Sequence, residues 1–462
     1  MTRAPCYNAT LFEIMAYLAP FRALRYDPRR VNVSQVVTQP YDKITPEMQE
    51  RYYAASPYNL VRIILGKREP CRDGDNVYTR ATGYLRDWRR EGIFLQDPQP
   101  SVYSYSQRFA ALGAVTQYER RGFIALGKIE DYSAGVVFRH EQTLAKPKAD
   151  RLDLLRVTRA HFGQLFMLYS DAGEVDSLLA GSAPPDVDIK DEYGVLHRVW
   201  KISDPALIEL IRGKMRDKKL LIADGHHRYE TALNYRNERR EAAGAAPGIP
   251  RERSSANLML DREQAQLAPY EMVMMTFVNM NSPGLLILPT HRVVQGLSSF
   301  SAEEFLARSR KYFTVEEAEP TSDAAQATSL LQEAGRRGTA LLAVTSKRNF
   351  LLHTPRASES LFAGLSPRQQ VLDVIQLHKV LLETVLGVSE ESIRNQENIS
   401  YLRDAGEAMD RVHNGGANIA FLMNPVRMEQ VRDIAFAGEV LPQKSTDFYP
   451  KLLTGLTIYA LD

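Results

Sequence analysis

The sequence predicts an α+β protein of more than one domain, and three observations carry that reading. The chain has 462 residues, too many for one simple core, so two or three domains are expected. Apolar residues make up 44% and charged residues 25%, the balance of a chain able to bury a sizeable core. Strand-like runs are interleaved with helical patterns, and the character changes beyond Leu285, which places a boundary near residues 285–295. Lysine and arginine number 58 against 56 acidic residues, a net +2 that gives no general reason to expect nucleic acid or an anionic membrane as partner. Only Cys6 and Cys71 are present, which argues against a disulfide framework or a structural zinc.

The elements follow in order. Asn8 and Glu13 interrupt the short apolar stretch at the start, so a signal peptide is not expected. No apolar run reaches the roughly eighteen residues a membrane span needs, and a cytoplasmic location is expected. Met15-Ala-Tyr-Leu-Ala-Pro20 reads as a natural start, which makes residues 1–14 an over-long gene start or a disordered extension. Pro20 to Tyr26 and Val31 to Thr38 read as extended segments around the Asp27-Pro28 turn. Thr45 caps a helix with Pro46 at its first position. Leu60 to Leu65 reads as a strand, and Val77 to Glu91 as a helix. Ser101 to Ala111 and Thr116 to Leu126 form a hairpin around Gly113, with Tyr103 and Tyr105 alternating with serines as in a half-buried strand. Asp150 to Ala160 is helical and Phe166 to Tyr169 a short buried strand. A helix follows Arg228 to about Ala243, then an Ala/Gly/Pro-rich loop runs to Pro250, with strands at Leu258 to Leu260 and Met272 to Met275. In the C-terminal part, Ser301 and Glu304 make a capping box. Ala340 to Val344 and Asn349 to His353 form a hairpin, Val371 to Leu386 a long amphipathic helix with Asp373 and His378 flanking the core, and Ala417 to Leu422 a buried strand. The last strand is expected around Leu453 to Tyr459.

The most informative stretch is Leu220-Leu-Ile-Ala-Asp-Gly-His-His-Arg-Tyr-Glu-Thr-Ala-Leu233. A strand ends at Ala223, a tight polar turn follows, and a helix begins near Arg228. Such a turn aims backbone N–H groups and the positive helix end at one point, where a phosphate would sit. Gly225 permits close approach, Arg228 can grip two phosphate oxygens, and His226 and His227 add donors. The same residues also suit a plain strand-to-helix turn with Asp224 as cap. Adjacent histidines diverge, so one metal cannot take both easily and a catalytic zinc is not expected.

Four further clusters carry candidate chemistry. Asp42, in Pro40-Tyr-Asp-Lys-Ile44, suits a general base or a Mg²⁺ ligand, or equally a turn aspartate bonding its own backbone. His140-Glu-Gln-Thr-Leu144 lacks the second histidine of a zinc protease, yet Glu141 could act as base, with His140, Lys146, Lys148 and Arg151 around it. In Pro289-Thr-His-Arg292, His291 and Arg292 suit a substrate carboxylate or an inter-domain ion pair. Pro442-Gln-Lys-Ser-Thr446 lacks the glycines of a P-loop, but Lys444, Ser445 and Thr446 can still receive a phosphate or carboxylate, or form a polar loop.

The Asp224–Arg228 stretch resembles the "GHHR" or "GERR" box of the ParB/sulfiredoxin-like fold. The chain as a whole resembles the DUF1015 family through Leu18 to Tyr26, Gln39 to Ile44, His140 to Thr143 with Asp150-Arg151, Leu288 to Arg292, and Pro442 to Thr446 with Tyr449-Pro-Lys451. The resemblance implies a ParB/sulfiredoxin-like mixed α/β core with insertions over residues 15–285 and a C-terminal α+β domain over 286–462. It implies that Gly225, His226, His227 and Arg228 hold nucleotide phosphates. Of the uses to which that fold puts its box, sulfinic acid repair would need a cysteine where this chain has His226. Clamping on DNA with CTP would need a helix-turn-helix region and a basic surface that the sequence does not show. Phosphorylation of a small hydroxylated metabolite such as free serine remains, with ATP or ADP favoured over CTP and Mg²⁺ as companion. Asp42 or Glu141 would then take the hydroxyl proton, Asp224 would orient metal or box, and Arg292 and Lys444 would hold the acceptor. The competing expectation is a nucleotide-binding or nucleotide-hydrolysing regulatory or interaction protein whose C-terminal third is the partner module. A scaffold with a degenerate phosphate site is the further alternative.

Overall fold

In a computed structural model the described residues are 16–68, 75–111, 116–141, 145–179, 183–244, 267–319 and 323–462. The expected strand at Leu258 to Leu260 and the extension at 1–14 lie outside them. The chain divides into two units. The first holds residues up to Arg139, Thr143–Gly284 and Pro450–Asp462; the second holds His140–Gln142 and Leu285–Tyr449. The expected assignment gave all of 286–462 to the C-terminal region, whereas the last thirteen residues return to the first unit.

The first unit is built on a mixed sheet of nine described strands. Its order is Val137–Phe138, Leu220–Asp224, Leu165–Tyr169, Met272–Asn279, Gln117–Lys128, Val102–Ala110, Leu196–Ile202 and Val187–Lys190, with Leu18–Ala19 paired to Gln117–Lys128. Two pairings are parallel, Leu220–Asp224 with Val137–Phe138 and Met272–Asn279 with Leu165–Tyr169; the others are antiparallel. Strand periodicity explains the core. Leu165, Met167 and Tyr169 share a face with Val273, Met275 and Phe277, and all are buried. On that face pack Val175 and Leu179, Ile208 and Ile211, and Tyr229 and Ala232, from the helices Glu174–Leu179, Pro205–Met215 and His226–Ala242. The opposite face carries Phe166, Met274 and Thr276, met by the guanidinium of Arg120 and by Thr457 and Gln164. Because both faces are covered, Val102 to Gln107 is buried throughout, and the half-buried alternation expected for Tyr103 and Tyr105 is not found.

A second, smaller core in this unit gathers Leu60, Ile63 and Ile64 with Leu85, Trp88, Leu154 and Phe162. Leu60 to Leu65 reads as a strand because the run is compact and mostly apolar. It forms the helix Val61–Ile64, because the side chain of Asn59 accepts from the Val61 N–H at 2.9 Å and starts a helical turn. Val33–Gln35, within an expected extended segment, is likewise a helical turn capped by Asn32. Pro46–Ala55 starts as expected, with Thr45 accepting from the Met48 N–H. The helices Val77–Arg90, Ala145–Thr158 and His226–Ala242 also stand where helices were expected.

The second unit carries an antiparallel sheet of six described strands, in the order Thr314–Ala318, Asn349–His353, Ala340–Val344, Ile419–Met423, His291–Val294 and Ile399–Leu402. Val293, Leu342, Val344, Ala420 and Leu422 bury one face of it under Ala327, Leu331, Ala408 and Met409. The long helix expected over 371–386 starts at Asp373, and from Gln376 to Val385 it is wound as a π-helix. Among the described residues no helix is long and apolar enough to cross a membrane.

Candidate functional site

Asp224 ends the Leu220–Asp224 strand beside a β-bulge: Ile222 pairs with Met167 but Asp224 pairs with Phe166, so one extra residue is accommodated at Ala223. Bulges re-aim the side chains that follow them. Gly225 follows with φ +96, left-handed backbone that a side chain would strain, and its carbonyl opens the His226–Ala242 helix by accepting from the Tyr229 N–H at 2.9 Å. A Cβ at Gly225 would stand 3.0 Å from the Arg228 guanidinium. Glycine is therefore needed both for the turn and for the closeness of Arg228.

Arg228 is anchored: its guanidinium donates to the Asp224 carboxylate at 2.7 Å and to the backbone carbonyl of Gln164. The other Asp224 oxygen takes the Lys451 ammonium at 3.1 Å. Burial would raise the Asp224 pKa, but Lys451, then Arg228 and Lys43, outweigh it and hold the carboxyl well below its ordinary range. Lys451 is placed by a buried pair. Gln107 donates to the Lys451 carbonyl at 2.8 Å, and Arg120 donates to the Pro450 carbonyl and to the Gln107 side chain. Arg120 is itself 1% exposed and stacks on Phe166; burial lowers its pKa to about 10.

Arg228 and Thr231 line a cleft of about 610 Å³, counting the part open to solvent. A second cation, Arg151, lies on its wall, stacked 4.3 Å from the Tyr41 ring and tied to Asp150 and the Ile64 carbonyl. The remaining wall is apolar or aromatic, with Leu154, Leu155, Phe162 and Val273 among its members. Burial, then the Asp42 charge, raise the Tyr41 pKa against the opposing pull of Arg151 and Arg228. His161, also on the wall, is lowered to about 4 by burial, so its ring is neutral at physiological pH. Gly163 is confined, since a Cβ there would meet Arg228 at 3.2 Å.

The structure thus brings together, inside the first unit, four segments far apart in sequence: Tyr41 to Lys43, Asp150-Arg151, Asp224 to Arg228, and Lys451. Asp42 is half-exposed and 4.0 Å from Lys43. His227 is half-buried, but His226 is only 8% exposed, so its ring does not stand open as a phosphate donor. Arg151 shares its cleft with Tyr41 and Arg228.

The other candidates fall in the second unit, where they form their own group. His140 shares a 2.8 Å hydrogen bond with Thr446, its carbonyl accepts from the Leu441 N–H, and Glu141 pairs with Leu441. Ser445 is buried and donates to the Pro442 carbonyl. Two expectations need correcting. His291 is 3% exposed, with its Nδ1 accepting from the Met423 N–H, and Arg292 is 2% exposed and donates to the carbonyls of Thr290 and Lys444. Both sit inside the sheet, so neither faces a substrate at the surface. Arg292 also makes no ion pair among the described residues, unlike the inter-domain salt bridge weighed for it.

Sequence reasoning missed Arg120, Gln107, His161 and Gly163, and gave Lys451 no role. One signal was available: Arg120 shares strand parity with Gly122 and Ile124, an unusual place for a cation in a covered strand. The others are assembled by long-range pairing that no local pattern announces. Among the described residues no group of three or more His, Cys, Asp or Glu is placed to hold a metal ion.

Comparison with curated proteins returns no match. Among solved structures, a conserved hypothetical protein from Pyrococcus furiosus is 13% identical, with a TM-score of 0.32 over 70% of this chain and 92% of that one. Free serine kinase in complex with AMP is 14% identical, with a TM-score of 0.32 over 70% of this chain and 89% of that one. SbnI with a C-terminal truncation, from Staphylococcus aureus, is 9% identical, with a TM-score of 0.33 over 72% and 87%. A family model described as protein of unknown function, DUF1015, matches residues 18–375, and the chain belongs to that family.

Proposed function

We propose that the first unit binds a purine nucleotide in the Tyr41–Arg151–Arg228 cleft and transfers a phosphoryl group from it to a small hydroxylated metabolite, with free serine as the first acceptor to test. One observation carries the reading: Arg228 opens onto a cleft with apolar and aromatic walls, in the first turn of a seventeen-residue helix entered through Gly225. The helix end and the guanidinium favour phosphate oxygens. The Leu154, Leu155, Phe162 and Val273 wall suits a base that must leave water. Phosphoryl transfer asks mainly for positioning and charge neutralisation, which two anchored cations supply. Asp224, paired to Arg228 and Lys451, orients both. Asp42 is the carboxylate available to accept the hydroxyl proton, being half-exposed next to Tyr41. Mg²⁺, carried in on the phosphates, would add charge neutralisation, and it needs no dedicated protein cage to do so. The proposal uses groups of the first unit alone.

Calorimetric titration with ATP, ADP and CTP tests the binding step. ATP or ADP should bind, and Arg228→Ala should weaken binding at least tenfold, about 1.4 kcal/mol. Undiminished affinity in that variant would refute the cleft assignment. Phosphorus NMR with ATP, Mg²⁺ and serine then separates the outcomes. A phosphoserine signal lost in Asp42→Asn supports transfer; inorganic phosphate alone supports the hydrolysing regulatory protein.

A further inference from the structure

A polar ring on the wall of the first unit's cleft has no hydrogen-bonding task in the fold. His161 is half-buried between Ala160 and Phe162, and all three line the cleft. Its ring lies parallel to that of Tyr459, with centroids 6.0 Å apart and an interplanar angle of 8°. Tyr459 is itself held, since its hydroxyl donates to the Pro269 carbonyl at 3.0 Å and its strand pairs with that of His161. The stack fixes the plane of the imidazole without using its edge. Among the described residues no hydrogen bond reaches either His161 ring nitrogen, and neither nitrogen is closed off from solvent. His197, in the same unit, is the contrast: its nitrogens are taken by Tyr105 at 2.7 Å and Asp191 at 3.2 Å.

Charge is spread unevenly along this wall. Tyr41 stands among the cations, with Arg151 stacked on it and both Arg151 and Arg228 acting on its ionisation. His161 responds to burial alone, which lowers its pKa to about 4, and no charged group adds to that effect. A ligand whose phosphates meet Arg228 and Arg151 therefore turns its uncharged part toward His161. The neutral imidazole carries one N–H donor and one bare acceptor nitrogen. Covering such a ring with a surface that offers no partner is costly, and a ligand group that pairs with it removes the cost. In a purine nucleotide, carbon 6 lies on the edge of the base far from the phosphates. It carries an amino donor or an oxo acceptor, and the neutral ring has a nitrogen for either.

We infer that His161 is the specificity residue of the cleft, one of its ring nitrogens bonding the group at carbon 6 of the purine. The inference rests on the nucleotide reading of this cleft and adds to it the residue that recognises the base. Calorimetric titration of the full chain with three triphosphates tests it: ATP, with a 6-amino group; ITP, with a 6-oxo group; and purine riboside triphosphate, with hydrogen at carbon 6. At least one of ATP and ITP should bind about tenfold more tightly than purine riboside triphosphate, the worth of one hydrogen bond in a covered setting. Preference for ATP identifies an amino partner, and preference for ITP an oxo partner. In His161→Phe, which keeps an aromatic ring against Tyr459, the three should bind alike. Equal affinity of all three for the unmodified protein overturns the inference without recourse to any variant, and so does a preference that survives in His161→Phe. Binding that falls in Arg228→Ala yet ignores carbon 6 overturns this inference alone, whereas no binding of any of the three overturns the cleft reading with it.

Discussion

Asp224 shows how one carboxylate can hold two cations from distant parts of the chain. It pairs with Arg228 at 2.7 Å and with Lys451 at 3.1 Å, beside a cleft with a largely apolar wall. The linkage has a definite sign. The folded pKa of Asp224 lies below its ordinary 3.8, so between those two values the unfolded chain binds more protons. Its contribution is complete above the unfolded value and is lost as pH falls below about 4. Asp224→Asn should therefore lower stability near neutrality and flatten the acid limb of the stability curve, as urea titrations from pH 6 to pH 3 would show. An acid limb as steep as that of the unmodified protein would mean that Asp224 is not the group being titrated. In the same experiment Lys451→Met should leave Asp224 with Arg228 and the weaker field of Lys43, and weaken nucleotide binding severalfold while the fold persists.

At the scale of elements, Asn59 decides a conformation that composition alone gets wrong. Val61, Ile63 and Ile64 are residues that favour strands, and an isolated reading of Leu60 to Leu65 gives one. The Asn59 side chain is fully buried, accepting from the Val61 N–H at 2.9 Å and donating to the Gln35 carbonyl at 2.7 Å. Asn59→Ala should cost about 2 kcal/mol, since it removes the turn and leaves the buried Val61 N–H unpaired. Denaturant unfolding would measure it; a loss below about 0.5 kcal/mol would show that packing alone sets the helix. The pattern of success elsewhere follows the same logic. Periodic segments such as Ala340 to Val344 with Asn349 to His353 were legible because period and turn agree. Asp224-Gly-His-His-Arg228 was legible because a strand, a glycine and a cation stand next to one another in sequence. The π-winding of Gln376 to Val385 was not, because an apolar stripe looks alike in either winding. Nor was the burial of His291 and Arg292, because a polar pair after Leu285 to Leu288 reads as the end of a strand and not as its beginning.

At the scale of the molecule, the last thirteen residues are the hardest part to read and the most consequential. Local pattern suggests one strand from Leu453 to Tyr459, yet only Tyr459–Ala460 pairs as a strand, with Ala160–His161. The segment is instead held point by point. Thr454 exchanges backbone hydrogen bonds with Thr38, Ile458 does so with Leu24, Gln164 donates to the Leu453 carbonyl, and Gln107 to that of Lys451. Leu452, Leu453, Leu456, Ile458 and Leu461 are all at least 95% buried. At roughly 1.5–3 kcal/mol for each buried aliphatic side chain, their loss amounts to about 10 kcal/mol, comparable with the whole stability of an ordinary domain. A chain ending at Tyr449 should therefore lose the cooperative melt of the first unit together with nucleotide binding. The full-length Lys451→Met protein separates the two effects, because it should keep the melt and lose only affinity. Calorimetry on both variants decides the matter. If the shortened chain melted like the intact one, the returning segment would be a covering strand and not a structural part of the unit, and the placement of Lys451 on Asp224 would have to come from elsewhere.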